Sequence, residues 1–331
     1  MKKLFNPLFM ALVVIFTTAS KYVSAATSNI RHCSGSVSGK HFCTYEVGDS
    51  SSKIIINAPH GGSLEPRSIL KDRDLGCRNS SSCVWSHTCG TKSTRCKAST
   101  SKDSWTKTIA ERLRDKLSEL IGSKPHLIVN NLNRKKMDGN RGEAEATFGD
   151  KVAMKAYTEY HDLINDAKSS IKGRGLFIDV HGQIHSHRLI ELGYQVTKTR
   201  LNSGKLVSAY SSLRYLGKSL PRVVSFEDVV RGPQSLGHFL EQAYPEIGVM
   251  PSPKNPKPGA RSYFIGGYNI DKYGSRYGGM VDGVQIEIHK DYRFNSTKRA
   301  KFINALAIAI KTFMDRNGSV SYTHLTLPTK A

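Results

Sequence analysis

Long apolar runs are scarce in this sequence of 331 residues. Beyond the amino terminus, no stretch reaches the roughly 18 apolar residues that a membrane-spanning helix needs, so no membrane span is expected. The one early run, Leu8 to Phe16, follows Lys2 and Lys3 and precedes the small residues 23–25. This arrangement is typical of a secretory signal peptide. We therefore expect residues 1–25 to be removed and the remaining chain to be secreted.

Acidic residues are also in short supply. The chain has 27 Asp and Glu against 49 Lys and Arg, a formal net charge of +22. Such a charge favours anionic partners, such as an acidic peptide or polymer, although it also serves solubility outside the cell. The basic residues are scattered, and no nucleic-acid-binding motif accompanies them, so no specific nucleic-acid partner is expected.

Cysteine is absent from the last 235 positions. All six cysteines lie in the segment 33–96, and none forms a C-x-x-C pair, which argues against a zinc knuckle. An even number in an exported chain predicts three disulfides, with 15 pairings open. Residues 77–96, rich in Ser, Thr and Lys, are typical of a cross-linked surface insertion. The cysteines are Cys33, Cys43, Cys77, Cys83, Cys89 and Cys96.

No internal repeat or long linker divides the chain, so we expect a single domain over residues 26–316. Residues 317–331 are predicted to be an unstructured tail, because Ser319 to Ala331 breaks the preceding helical pattern. Three N-x-S/T sequons begin at Asn79, Asn295 and Asn317, and in a eukaryotic secreted chain they would be surface positions that carry glycan.

Strand-like runs alternate with helical patterns along the chain. This alternation predicts an α/β fold, with a mixed, mostly parallel sheet and helices on both faces. In such sheets the ligand site lies at the carboxyl ends of the strands. The expected strands are Lys53–Asn57, His126–Asn130, Leu176–Val180 and Val284–Ile288, and the expected helices are Ser104–Ile121, Lys151–Ile171 and Lys298–Arg316.

Two of these strands end in a histidine followed by glycine. His60 follows the first strand in NAPHGG, and His181 follows the third in DVHG. Glu65 comes five residues after His60, beyond a glycine turn that can return its carboxylate to the histidine. Two histidines and one carboxylate form the open zinc site of a hydrolase. We therefore predict that His60, Glu65 and His181 bind Zn²⁺.

Other interpretations of these residues stand beside the zinc site. His60 and His181 are also consistent with turn histidines bonded to backbone carbonyls, and Glu65 with a solvated loop acid. His185 and His187 follow His181 closely and are alternative ligands. A serine hydrolase is not expected, because the chain has no G-x-S-x-G sequence.

Further polar residues fit the same chemistry. Glu287 is a lone carboxylate within an apolar strand, and a zinc hydrolase needs such a base for its water. In NRKKMDGNR, Asn140 and Arg141 pair an amide with a guanidinium, which suits a substrate carboxylate. Arg134 is a candidate for stabilising the oxyanion. A basic loop that only adds charge is the alternative for this segment.

Taken in order, APHGG, EP, DGNR, DVHGQIH, IELGY and VQIEIHKDYR resemble the N-formylglutamate amidohydrolase family, from about Ile54 to Arg293. HGGSLEP is also similar to a stretch of the poly-γ-glutamate hydrolases. The resemblance implies a phosphorylase/hydrolase-like fold, akin to the zinc exopeptidases. It implies zinc at His60, Glu65 and His181, and a catalytic Glu287. It also implies that Asn140 and Arg141 bind the substrate carboxylate.

The function expected from the sequence is therefore a secreted, zinc-dependent hydrolase of C–N amide bonds. Its substrate would be a small anionic N-acyl amino acid, or a γ-glutamyl peptide or polymer. Two alternatives remain open at this point: a metallocarboxypeptidase with the same site, and a non-catalytic protein of the same fold that binds polyanions.

Overall fold

The computed structural model describes residues 29–86, 89–91 and 93–318, so the expected signal peptide and Ser319 to Ala331 lie outside the described residues. The strands are β1 (Ile30–His32), β2 (Ser36–Val37), β3 (Lys40–His41), β4 (Cys43–Glu46), β5 (Ile54–Ala58), β6 (Leu75–Asn79), β7 (Ser82–Val84), β8 (Arg95–Lys97), β9 (His126–Asn130), β10 (Gly175–Gln183), β11 (Ile190–Gly193), β12 (Val249–Met250) and β13 (Val281–His289). The helices are α1 (Thr106–Ile121), α2 (Glu143–Thr147), α3 (Lys151–Ser170), α4 (Lys198–Ser203), α5 (Arg214–Ser219), α6 (Phe226–Val230), α7 (Leu236–Ala243), α8 (Tyr268–Tyr273), α9 (Lys290–Phe294) and α10 (Ser296–Gly318). Ser208–Tyr210 and Ser275–Tyr277 form 3₁₀ turns.

The described residues form a mixed sheet of eight strands in the order β1-β4-β9-β5-β10-β13-β11-β12. The four central strands, β9, β5, β10 and β13, run parallel to one another. Antiparallel pairs flank them on both sides, where β4 joins β9 and β11 joins β13. The predicted α/β class, with its mixed and mostly parallel sheet, is confirmed.

The central strands are buried on both faces because helices cover both. In β5, alternate side chains enter different cores. Ile54 and Ile56 pack in the same core as apolar residues of α1 and α10. Ile55 packs in the other core, with apolar residues of α3. The β-branched run of β5 thus serves two apolar layers at once, and the predicted helices on both faces are confirmed.

The predicted elements are all present, with shifted ends. Strand β9 has the predicted limits, whereas β10 and β13 each extend to nine residues. Helix α1 begins at Thr106, two residues late, because Trp105 before it has a left-handed φ of 73°. Helix α3 begins after Asp150, whose carboxylate accepts hydrogen bonds from the amides of Val152 and Ala153. No helix in the described ranges is both long and apolar enough to cross a membrane.

The cysteines form the three expected disulfides, Cys33–Cys43, Cys77–Cys89 and Cys83–Cys96. The last two cross-link a small sheet in the order β7-β6-β8. Among the residues that the structure describes, its apolar cluster consists of Cys83, Cys96, Ala98 and Phe148. This segment is therefore a cross-linked insertion with little core of its own, as expected.

Two expectations about the end of the chain need correction. Helix α10 continues to Gly318, two residues into the segment predicted to be an unstructured tail. Asn317 is only 6% exposed, and its amide donates to the carbonyl oxygens of Gln234 and Phe313. It is therefore not a surface position, whereas the sequon residues Asn79 and Asn295 are exposed.

Candidate active site

The ends of parallel strands place polar side chains together at one edge of the sheet. His60 lies two residues beyond the end of β5, and His181 lies near the end of β10. Glu287 lies near the end of β13 and is the register partner of His181. Paired residues of adjacent strands project from the same face of a sheet, so His181 and Glu287 point to the same side.

The two glycines after His60 pack against protein backbone. A Cβ atom on Gly61 would come within 2.5 Å of the amide nitrogen of Lys107, at the start of α1. A Cβ atom on Gly62 would come within 2.3 Å of the carbonyl carbon of Asn131. The glycines thus allow the loop to press against β9 and α1. That approach brings the amide of Asp103 to 3.0 Å from the carbonyl oxygen of His60.

His60, Asp103 and His181 form a compact buried cluster. The Nδ1 atoms of His60 and His181 lie 3.4 Å and 3.2 Å from the same oxygen, Oδ2 of Asp103. The exposed fractions of the three residues are 1%, 8% and 2% in that order. One potential ligand atom from each lies within 4.8 Å of the other two, so a metal ion can bind all three.

A carboxylate lies behind each histidine. Nε2 of His60 is 2.6 Å from Oδ1 of Asp138, and Nε2 of His181 is 3.0 Å from Oδ2 of Asp179. Both carboxylates are fully buried. Such pairs fix the ring orientation and leave the other ring nitrogen for a metal. Asn57 extends one of them, because its amide donates to Oδ1 of Asp179 at 2.7 Å.

Charge within this network is strongly coupled. Burial alone would raise the pKa of Asp103, but its hydrogen bonds to His181 and His60 hold that pKa well below its usual range. Burial would likewise raise the pKa of Asp138, and nearby His60 and Arg134 more than offset it. Burial opposes ionisation of His181 too, yet Asp179 and Asp103 raise the pKa of that imidazole to about 10. The cluster therefore attracts positive charge.

Glu287 differs from the other carboxylates. Its Oε1 accepts a hydrogen bond from Nε2 of Gln285 at 2.8 Å, whereas its buried Oε2 has no partner among the described residues. Burial raises the pKa of Glu287 to about 8, against the opposite effect of His181. Glu287 lines a cavity of about 490 Å³ together with His60, Asp103 and His181.

Glu65 does not join this cluster. It is exposed, and its carboxylate is bound by Nδ2 of Asn133 and Nζ of Lys135, each at 2.7 Å. The loop after Gly62 follows β9, since the amide of Leu64 donates to the carbonyl of Asn131. That path carries Glu65 away from His60. The structure places Asp103, from the segment before α1, where the sequence suggested Glu65.

The three other predicted residues line the cavity, each with partners in the protein. Arg134 donates from Nε to Asp138 at 2.9 Å and lies 4.0 Å from Asp103. Asn140 is buried, with Nδ2 3.1 Å from Nε2 of His181 and Oδ1 accepting from the amide of Asn269. Arg141 is half-buried, and its Nη1 donates to the carbonyl of Asn140. Of these, Arg141 is best placed to meet a ligand in the cavity.

Three acidic residues of the site are not predicted from the sequence. Asp103 directly precedes the predicted helix Ser104–Ile121, and nothing local marks it as a partner of a histidine 43 residues away. Asp138 lies within the NRKKMDGNR segment, whose arginines are the more conspicuous candidates for a site. Asp179 had a readable pattern, because residues two apart in a strand share a face, so the D-x-H of β10 places Asp179 beside His181.

No family model matches the sequence, and no curated protein matches it. Among solved structures, the chain is similar to N-formylglutamate amidohydrolase from Ralstonia eutropha JMP134, with 11% identity, a TM-score of 0.45, and coverage of 83% of this chain and 98% of that one. It is also similar to N-acetylmuramyl-L-alanine amidase Ami1 from Mycobacterium smegmatis, with 14% identity, a TM-score of 0.36, and coverage of 81% and 99%. An N-acetylmuramoyl-L-alanine amidase of Nostoc punctiforme follows, with 12% identity, a TM-score of 0.33, and coverage of 80% and 99%.

Proposed function

We propose that this protein is a secreted zinc-dependent amidohydrolase, with His60, Asp103 and His181 as the metal ligands and Glu287 as the general base. One observation carries the proposal. The potential ligand atoms of the three residues converge in the same cavity that Glu287 lines, and Oε2 of Glu287 has no hydrogen-bond partner in the described part of the chain.

The residues fit zinc chemically. Two imidazole nitrogens and one carboxylate oxygen are the protein ligands of open zinc sites in hydrolases, which keep one position for water or substrate. Both histidines turn Nδ1 towards Asp103 while a buried carboxylate holds Nε2. When bound, zinc supplies Lewis acidity to water and to the amide carbonyl.

Glu287 moves the proton in this mechanism. Its Oε2 accepts a proton from the attacking water and then returns it to the departing amine. Burial raises the pKa of Glu287, so its carboxylate is a stronger base than that of an exposed glutamate. Gln285 holds the other carboxylate oxygen and so orients Glu287.

Arginines in the cavity suit an anionic substrate. Nε of Arg141 pairs with Oε1 of Glu145 at 3.2 Å, but the side chain is still 34% exposed, so the guanidinium can also meet a substrate carboxylate in the cavity. Arg134 is held by Asp138 and adds positive charge where an oxyanion develops. We infer that the substrate is an N-acyl amino acid or a γ-glutamyl compound with a free carboxylate. The net charge of +22 also favours acidic substrates outside the cell.

The test is to incubate the zinc-loaded protein with N-acyl amino acids, poly-γ-glutamate and short α-peptides, and to identify the products by mass spectrometry. Release of an acyl group or of glutamate is expected, whereas cleavage of α-peptides alone would indicate a carboxypeptidase. No hydrolysis of any substrate would contradict the proposal and favour a binding protein.

Two matched Glu→Gln substitutions test whether Glu287 acts in the reaction. Glu287→Gln should retain the metal and lower kcat by about 10²- to 10⁴-fold, as expected when a general base is lost. Glu65→Gln is the matched control, because this glutamate is exposed and lies outside the cavity. Unchanged turnover in Glu287→Gln would show that Glu287 is not the base.

A further inference from the structure

A second group of metal-binding side chains lies beside the cavity. His185 and His187 follow β10 in a loop, and Glu191 lies on the neighbouring strand β11. Oε1 of Glu191 is 2.6 Å from Nδ1 of His185 and 3.3 Å from Nε2 of His187. The three ligand atoms lie within 4.8 Å of one another. Zinc bonds of about 2.0 Å in a tetrahedron place ligand atoms about 3.3 Å apart, so small side-chain adjustments would suffice.

Within the described ranges, Glu191 forms no ion pair with a lysine or an arginine. Its side chain is fully buried, and a charged group is almost never buried unless it is paired. Its ion-pair partners among the described residues are the imidazoles of His185 and His187. Its other oxygen, Oε2, accepts a hydrogen bond from the amide of Phe264 at 2.7 Å. A divalent cation would supply the missing charge.

Each imidazole turns one nitrogen towards Glu191. Nδ1 of His185 lies 2.6 Å from Oε1 of that glutamate. In His187, Nδ1 accepts a hydrogen bond from the amide of Leu189, whereas Nε2 lies 3.3 Å from Glu191 and 3.1 Å from the carbonyl oxygen of Ser262. A metal ion at Nε2 would replace the contact with Ser262, move the ring proton to Nδ1 and displace the hydrogen bond from Leu189. The side chain of His185 is 23% exposed, which leaves a route from solvent to the group.

The group also contacts the wall of the catalytic cavity. Phe264 lines that cavity, and its ring stacks on the ring of His185 with centroids 4.8 Å apart. Glu191 is the register partner of Glu287 on the adjacent strand. A cation bound at Glu191 would therefore lie beside the proposed base Glu287. Through His185 it would also fix Phe264 in the wall of the cavity.

We propose that His185, His187 and Glu191 form a second divalent-cation site of the zinc-binding type, separate from the group of His60, Asp103 and His181. The two groups share no residue. Zinc binding at the second site can therefore be tested independently of the proposed amidohydrolase activity.

The test counts zinc ions per folded chain by equilibrium dialysis and elemental analysis. The unmodified protein should bind two zinc ions, and His187→Gln should bind one. Asp103→Asn should also bind one, and the variant with both changes should bind none. His238→Gln serves as the matched control, because this half-buried histidine belongs to neither group, and it should still bind two.

One outcome would overturn the second site and leave the first intact. The unmodified protein would bind a single zinc ion, His187→Gln would still bind it, and Asp103→Asn would lose it. In that case the group is a hydrogen-bonded pair of histidines on Glu191. Circular dichroism checks that each variant is folded. Anomalous diffraction at the zinc edge, on zinc-soaked crystals of the unmodified protein, locates bound zinc ions without any substitution. Density at His187 is expected, and its absence with density at Asp103 contradicts the proposal.

Discussion

Asp103 connects the two strand ends that supply the histidines of the site. Its Oδ2 lies near both histidines and also accepts a hydrogen bond from the amide of Gly182 at 3.1 Å. Its own amide donates to the carbonyl of His60. One residue from the segment before α1 therefore ties the end of β5 to the end of β10.

The choice of third ligand can be tested directly. Asp103→Asn should weaken zinc binding at the site of His60 and His181 by at least about 10- to 100-fold, because the anionic oxygen between the histidines is lost. Glu65→Gln should leave zinc affinity unchanged, since Glu65 is exposed and bound to Lys135. Competition titration against a zinc chelator measures both. The reverse result would restore Glu65 as the ligand.

Arg141 is expected to select substrates by charge. Arg141→Ala should lower kcat/KM for a carboxylate substrate by roughly 10-fold or more, because a charge-assisted hydrogen bond contributes about 1.5–3 kcal/mol. The matching carboxamide should already be a poor substrate, and the substitution should change it little. Kinetics on the acid and amide pair decide the matter. Equal losses on both substrates would mean that Arg141 does not recognise the carboxylate.

At the residue scale, the sequence identifies single candidate side chains more easily than the contacts between side chains that are distant along the chain. His60, His181 and Glu287 could be identified because each follows or lies in an apolar strand. Asp103 could not, because its distance from His60 depends on how the segment before α1 packs on the loop after β5. No spacing in the sequence encodes that contact.

At the scale of the elements, the close packing of the loop after β5 depends on its glycines. A Cβ atom on Gly62 would overlap the backbone of Asn131, so Gly62→Ala should destabilise the fold by about 1–3 kcal/mol, as overpacking usually does. A Cβ atom on Gly142 would meet nothing within 4 Å, so Gly142→Ala should change stability by less than about 0.5 kcal/mol. Urea denaturation of both variants provides the comparison. Equal stability would show that the loop can move away.

The central elements were predictable and the edges were not. Strands β5, β9 and β10 each contain three consecutive apolar residues, as is typical of strands buried on both faces, and this pattern is visible in the sequence. Strand β13 instead alternates Val284, Ile286 and Ile288 with polar residues. The edge strands β1 and β12 have only three and two residues, too short for a period to show. Strand β11 lies in the IELGY stretch, whose pairing with β13 depends on tertiary contacts.

Across the whole molecule, buried titratable groups link stability to pH. His161 lies in the core beside α8, is 3% exposed, and accepts or donates a hydrogen bond at Nδ1 with the hydroxyl of Tyr273. Burial, assisted by Lys272, lowers its pKa to about 3. The unfolded chain binds a proton at this residue near pH 6.5, so unfolding becomes easier as pH falls from about 6.5 towards 3.

His161→Gln should remove this part of the pH dependence. The free energy of unfolding of the unmodified protein should fall more steeply between pH 7 and pH 5 than that of the variant, because only the histidine gains a proton on unfolding. Chemical denaturation at both pH values, on both proteins, measures the difference. Parallel pH profiles would contradict a neutral buried His161.

The disulfides have a consequence for how the molecule responds to reducing conditions. They join residues only 10, 12 and 13 positions apart, so each closes a short local loop. None of these loops contains His60, His181 or Glu287. Reduction would therefore loosen the loops 33–43, 77–89 and 83–96, whereas the non-covalent packing of β5, β10 and β13 would remain. We therefore expect these three residues to keep their arrangement under reducing conditions.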